Sequence, residues 1–404
     1  MLDKVLAENF IFSVGLRLIT LIVPFASFPY LIKTLGSDRY GLIIWAWSII
    51  NIFVAITKFG FDVVIVKKIS LSRSSKDELE KIVCATLFSK IMLANGCLLI
   101  LIIICAVNQE VSNNIYIFLT GMLIVYAEAL TPIWYFQGLE RIKFSSILIG
   151  IIKMLFACLV LMFINDESDY DKVLIIYGVS QFMAAMAGLF LLFNIDGLKI
   201  RKFGINYCFD LMRESASIFL SSSLSTLKDS LTILLLNNYL DHSSIGIYDL
   251  INKVLSLAIT PFHIFAQVVF PSVAVHKNKK KIVLWARLST VFSIALLVLI
   301  LLLRNIIFKF MNIDADISFL FSFLMFSSIV FLNLSSLFGT LGLAAFGRNK
   351  IFFYTSLKSF FLYVCVLYIV FEFLWAGLVA CALVIFVTSV YESYIRYKAF
   401  HFYG

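Results

Sequence analysis

Among the charged side chains that stand inside runs of apolar sequence are the cations Arg17, Lys58, Lys228 and Lys253, and the acids Asp62, Glu128 and Asp249. A Lys or Arg near the centre of a bilayer costs roughly 2.5–3.5 kcal/mol, so such groups need partners or water. The chemistry they suit is non-covalent. A cation in a low-dielectric cavity attracts an anionic ligand, and a carboxylate there balances charge or carries a coupling ion. Lys58 with Asp62, and Asp249 with Lys253, are four residues apart and can neutralise one another along a helix. Arg17 and Lys228 have no acid at that spacing, although Asp229 adjoins Lys228. Glu128, with Tyr126, Thr131, Trp134 and Tyr135 nearby, is either a proton carrier or a buried partner of Lys90 or Lys153. Arg213 and Arg287 fall near span ends, where they can snorkel to headgroups.

Helical spacing gathers polar residues into stripes. Asn9, Ser13, Arg17, Thr20 and Pro24 share one face, as do Ser48, Asn51, Ala55, Lys58 and Asp62. Ser217, Ser221, Ser225, Lys228 and Thr232 form a third stripe, and Asp249, Lys253, Ser256, Thr260, His263 and Gln267 a fourth. Four such faces can be satisfied only by one another or by water, which predicts one shared aqueous cavity.

The elements that hold these stripes must be membrane helices. Of 404 residues, 62% are apolar and 14% charged, with a mean hydropathy of +1.00, far from the ~25% charge of soluble domains. The apolar runs predict twelve spans at about 8–32, 40–66, 82–106, 115–136, 146–164, 172–194, 213–239, 244–270, 284–303, 317–340, 351–371 and 374–395. Connections between them are too short for a folded extramembrane domain. The first run has no small-residue cleavage site and reads as a retained helix.

Alternate connections carry the cations: Lys67 to Lys81, Arg141 and Lys143, Lys199 to Lys202, Lys277 to Lys281, Arg348 and Lys350, then Arg396 and Lys398. The positive-inside bias makes these cytoplasmic and both termini cytoplasmic. The net charge of +9 thus sets topology and meets anionic lipids, and nucleic acid is not an expected partner. Seven cysteines without C-x-x-C spacing, and few histidines, imply no metal site, and no cofactor is expected.

A weak repeat relates Leu35-Gly36-Ser37-Asp38-Arg39-Tyr40-Gly41 to Leu240-Asp241-His242-Ser243-Ser244-Ile245-Gly246. The expected fold is therefore all-α and integral to the membrane. Two parallel six-helix bundles, residues 1–198 and 199–404, would flank a central cavity, an arrangement typical of transporters.

The stretch Pro29-Tyr30-Leu31-Ile32-Lys33-Thr34-Leu35-Gly36, followed by Tyr40-Gly41 and Phe59-Gly60-Phe61-Asp62, resembles the amino-terminal signature of Wzx-type O-antigen and polysaccharide flippases. These belong to the multidrug/oligosaccharidyl-lipid/polysaccharide exporter superfamily. The resemblance implies translocation of undecaprenyl-pyrophosphate-linked oligosaccharide between leaflets of the bacterial inner membrane, by alternating access and with a coupling ion often proposed. It further implies the polymerase and chain-length regulator of the same pathway as partners. The residues assigned to the anionic headgroup are Arg17, Lys58, Lys228 and Lys253; Asp62, Glu128 and Asp249 are assigned to charge balance or ion coupling.

Two alternatives are weighed against this. A drug or cation exporter of the same superfamily should carry an acidic excess in its cavity, where these stripes carry a cationic one. An integral-membrane polysaccharide polymerase should carry a sizeable periplasmic loop, and the connections here are short. Neither a nucleotide-sugar domain nor the P-loop pattern G-x-x-x-x-G-K is present, so the chain is not expected to be an enzyme.

Overall fold

The computed structural model describes residues 2–313, 317–374 and 377–403, without the side chains of 2–26, 142, 145, 217, 221, 225, 267–268, 271–272, 274–276, 373–374 and 403. The described chain is helical and contains no strand. The principal helices are α1 (Leu2–Lys58), α2 (Phe61–Leu71), α3 (Lys76–Val107), α4 (Ile115–Leu130), α5 (Ile133–Gly138), α6 (Ile142–Phe163) and α7 (Lys172–Phe190). There follow α8 (Ile205–Tyr239), α9 (His242–His276), α10 (Lys279–Leu302), α11 (Phe319–Ser336), α12 (Asn349–Ile369) and α13 (Leu378–Tyr403).

Ten described helical segments are long and apolar enough to cross a membrane, and a bent pair within α8, Ile218–Leu224 and Thr226–Tyr239, makes an eleventh. Large side chains such as Leu99, Ile103, Leu161, Leu288, Val291 and Phe361 are exposed on these helices. Exposed apolar surface on this scale suits hydrocarbon, and the protein is a multi-pass membrane protein. The expectation of twelve spans rests further on residues 8–32, most of whose side chains lie outside the described ones. The first two predicted spans run on as α1, bent at Gly36, whose φ of 77° is open to glycine and strained for other residues.

The chain forms two compact units, Met1–Ser230 and Leu231–Gly404. The division falls inside α8 and not in the basic connection before it. In the first unit α4 packs on α7, and α1 on α6 and α4. In the second, α11 packs on α13, α10 and α9. Hydroxyls inside the helices bond backward within their own turns: Thr86 donates to the Ile82 carbonyl, Ser89 to Ala85, Ser180 to Ile176 and Thr388 to Val384. A polar side chain is thereby satisfied without leaving an apolar setting.

Contacts in the first unit sort its connections into two groups. Arg201 pairs with Asp77 and Glu80, Arg141 with Asp196, and Arg73 with Glu140, which draws three basic connections together. The Arg73 guanidinium, hydrogen-bonded to Glu140, holds that carboxyl below its ordinary range. Arg39 instead pairs with Glu167, and the Tyr30 hydroxyl donates to the Ile164 carbonyl, joining the α1 bend to the segment before α7. Alternation of this kind is what successive membrane crossings produce.

One boundary differs from expectation with a chemical consequence. α13 continues to Tyr403, so Arg396, expected in a cytoplasmic tail, is a buried helical residue, 8% exposed. Lys398 and His401 interrupt the apolar pattern and mimic a helix end, but Ala399 and Phe400 on the opposite side are buried and hold the helix in register.

Candidate functional site

Glu128 is the meeting point of four helices. The Lys90 ammonium, fully buried on α3, donates to the Glu128 main-chain carbonyl at 2.9 Å and to its Oε1 at 3.3 Å. Gln181 on α7 donates through Nε2 to Oε2 at 3.2 Å, and the Lys58 Nζ at the end of α1 lies 4.0 Å from the same oxygen. One carboxylate thus stands between two ammoniums inside apolar helices.

A local sequence rule explains why that carbonyl is available. In an α-helix the carbonyl of residue 128 accepts from the N–H of residue 132, and residue 132 is proline, which has none. α4 ends at Leu130, the Thr131 N–H bonds Ala127, and α5 starts beyond the proline. The acceptor left over is the one Lys90 takes. A buried ammonium requires such oxygens, because it cannot keep its charge without them.

Of the two lysines, Lys90 is sealed, whereas the Lys58 side chain is 45% exposed. The open position of Lys58 follows from the backbone after it. Phe59 and Gly60 have φ values of 44° and 73°, which ends α1 and starts α2 in a new direction. Gly60 is required twice over: its φ favours glycine, and an added Cβ would lie 2.8 Å from the Phe219 nitrogen and the Ser215 oxygen of α8. Phe59 stacks on Phe219 at 4.7 Å across the same approach.

This break corrects the second predicted stripe. Lys58 and Asp62 do not continue one helical face, because two left-handed residues separate them; Asp62 lies exposed in the first turn of α2. Among the described residues, the carboxylate within ion-pair distance of Lys58 is that of Glu128. Of the two partners weighed for Glu128, Lys90 is the one found, while Lys153 points to the Tyr177 hydroxyl at 3.2 Å.

The remaining assigned residues are placed as follows. The Arg17 side chain lies outside the described residues. Lys228 is half-buried on α8 in the first unit, beside an exposed Asp229. Asp249 and Lys253, on α9 in the second unit, form the ion pair their spacing foretells.

The second unit also holds a charge network absent from the expected site. Arg396 bonds Glu392 at 2.7 Å, the Ser335 hydroxyl at 2.7 Å and its carbonyl at 3.1 Å, and the Ser356 hydroxyl at 2.8 Å. Ser359 donates to the other oxygen of Glu392 at 2.7 Å. The network ties α11, α12 and α13 together. The four-residue spacing of Glu392 and Arg396 was the sequence signal, obscured by reading Arg396 as a topology marker.

A profile of the family described as "Polysaccharide biosynthesis protein" matches residues 6–275. Two curated relatives are similar to the chain. A "Putative O-antigen transporter" of Escherichia coli (strain K12) is 20% identical over 269 residues, 67% of this chain and 65% of that protein. A protein of the same description from Shigella dysenteriae is 23% identical over 254 residues, 61% of this chain and 62% of its own length. The match thus spans just under two thirds of each relative. Among solved structures, an outward-facing MATE family multidrug transporter of the MOP superfamily superposes with a TM-score of 0.69 at 13% identity, over 99% of this chain and 95% of that one. The lipid II flippase MurJ, in an inward closed conformation, gives 0.67 at 13% identity, over 97% and 87%. The fold is that of MOP-superfamily membrane transporters.

Proposed function

We propose that this chain, which belongs to the polysaccharide biosynthesis protein family, is a flippase for lipid-linked oligosaccharide. Its substrate is an O-antigen-type repeat unit on undecaprenyl pyrophosphate, moved from the cytoplasmic to the periplasmic leaflet of the bacterial inner membrane. The observation that carries this reading is the Lys58–Glu128–Lys90 cluster, held inside apolar helices of a chain similar to proteins named as O-antigen transporters.

Geometry divides the labour between the two lysines. Glu128 answers Lys90 closely and Lys58 loosely, so an incoming pyrophosphate recruits Lys58 without leaving a buried charge uncovered. Arg17, Lys228 and Lys253 serve the same headgroup from the other polar stripes. Asp62, Glu128 and Asp249 balance these cations or bind the coupling ion. Alternating access of two six-helix halves, residues 1–198 and 199–404, carries the headgroup and sugars across while the polyprenyl tail stays in lipid. The polymerase and chain-length regulator of the pathway receive the product.

The test is the leaflet distribution of lipid-linked oligosaccharide in cells lacking the protein, read with a probe of the sugar confined to the periplasm. Accumulation on the cytoplasmic side, reversed by the intact chain but not by Lys228→Ala, supports the reading. Normal export with unpolymerised units outside overturns it in favour of a polymerase.

A further inference from the structure

An open cleft of about 240 Å³ lies in the first unit between the end of α2, the start of α3 and the start of α8. Lys68, Ser72, Glu78, Lys81 and Tyr207 line it, with Leu71 exposed at its edge. The surrounding arginines are matched to acids: Arg73 to Glu140, Arg141 to Asp196, Arg201 to Asp77 and Glu80. Lys68 pairs with Glu214 at 3.0 Å. Lys81 differs. Among the described residues it has no carboxylate within ion-pair distance, and its Nζ lies 4.5 Å above the Tyr207 ring, with the Lys68 Nζ 6.0 Å from the same ring.

A ring face is a weak substitute for an anion at an exposed site, so a phosphate oxygen entering the cleft is the stronger partner for Lys81. Lys68 is near enough to share it. Once Lys81 turns to that phosphate, the Tyr207 face is open to the flat apolar side of a sugar ring. Glu78, which accepts from the Ser72 hydroxyl at 3.0 Å, keeps acceptor capacity for sugar hydroxyls. The volume is below the roughly 300–1,000 Å³ of pockets that enclose drug-sized ligands. It therefore suits one end of a larger molecule, a phosphate with its first sugar.

We infer that this cleft is a capture site at the membrane surface for the sugar-phosphate end of the lipid-linked substrate, held by Lys68, Lys81 and Tyr207 before it enters the helices. The inference rests on the flippase reading and adds a site outside the buried cluster. Leu71, exposed at the edge of the cleft, offers apolar surface there, where a lipid tail can remain in the bilayer.

The experiment uses the full chain in nanodiscs of zwitterionic lipid. Equilibrium binding is measured for a short-chain polyprenyl diphosphate bearing one hexose, for the same diphosphate without sugar, and for phosphatidylglycerol supplied in vesicles. Lys81→Ala should weaken both diphosphates about tenfold, the loss expected for one charge-assisted contact, and Tyr207→Leu only the glycosylated one. Phosphatidylglycerol binding should not respond to either change. Wild-type binding of both diphosphates by the two variants, with size-exclusion profiles unchanged, overturns the capture site alone. Equal loss of phosphatidylglycerol overturns it in favour of a general contact with anionic lipid. No binding of either diphosphate by the wild-type chain overturns the flippase reading and the site with it.

Discussion

The Lys90 ammonium donates to the Glu128 main-chain carbonyl at 2.9 Å, an oxygen whose helical donor would have been the missing N–H of Pro132. A side chain on one helix thus completes the backbone of another, and substitution at either end has consequences at the other.

Pro132→Ala supplies the absent N–H, which competes for the Glu128 carbonyl and joins α4 to α5. Lys90 then loses one of its two oxygen acceptors, worth on the order of 1–3 kcal/mol for a buried charged donor. We expect a lower melting temperature in detergent, although a proline has been removed from helical surroundings. Protection of the new residue 132 amide in hydrogen exchange is the direct check.

Lys58→Ala and Lys90→Met separate transport from stability. Lys90→Met leaves the Glu128 carboxylate with only Gln181 and the looser Lys58 and should cost about 3 kcal/mol, recovered in large part by the double change Lys90→Met with Glu128→Gln. Lys58→Ala removes a half-exposed, loosely held cation and should cost no more than about 1 kcal/mol, while transport falls at least tenfold. Thermal unfolding and leaflet assays on the same preparations give both readouts.

Gly36→Ala and Gly60→Ala compare strain alone with strain plus collision. Both positions have φ near 75°, but an added Cβ meets nothing within 4 Å at Gly36 and two backbone atoms at 2.8 Å at Gly60. Gly36→Ala should cost on the order of 1 kcal/mol, Gly60→Ala clearly more, with α8 displaced from α2. Equal melting temperatures would contradict the close approach.

Arg396→Leu should destabilise the protein by about 3–5 kcal/mol through the uncompensated Glu392, and Arg396→Leu with Glu392→Leu by much less. Equal losses in the single and double variants would show that the pair is not coupled as the geometry indicates.

Arg287→Ala should leave transport near wild type, because a cation near a helix end can reach headgroups, whereas Lys228→Ala should abolish transport with membrane insertion intact. Surface labelling of the two variants controls for insertion.

Much of the helical architecture was legible in hydropathy, and its interruptions in glycine and proline: Gly36 bends α1, and Pro132 separates α4 from α5. The Asp249–Lys253 pair was legible because its spacing is local. Spacing failed where the backbone left the helix: Phe59 and Gly60 redirect the chain between Lys58 and Asp62, and no four-residue rule survives two left-handed residues. It also could not see Lys90 meet Glu128 in preference to Lys153, since both lysines sit on other helices and only packing decides. The burial of Arg396 was not legible because charge near a terminus is read first as a topology signal, while its serine partners on α11 and α12 are remote in sequence.

The hydroxyls that bond back to their own helices fix the direction of hydrogen bonding on the surfaces they form. Thr260, half-exposed on α9, gives its proton to the Ser256 carbonyl at 2.7 Å, as Thr290 does to Ala286 on α10. What each turns outward is a lone pair. A hydroxyl group that meets such a face is offered an acceptor and must itself donate, whereas a methylated or acetylated one finds no hydrogen-bond partner there. Serine and threonine bonded back in this way thus present acceptors and not donors to whatever lies against them, a property that counting polar residues does not reveal.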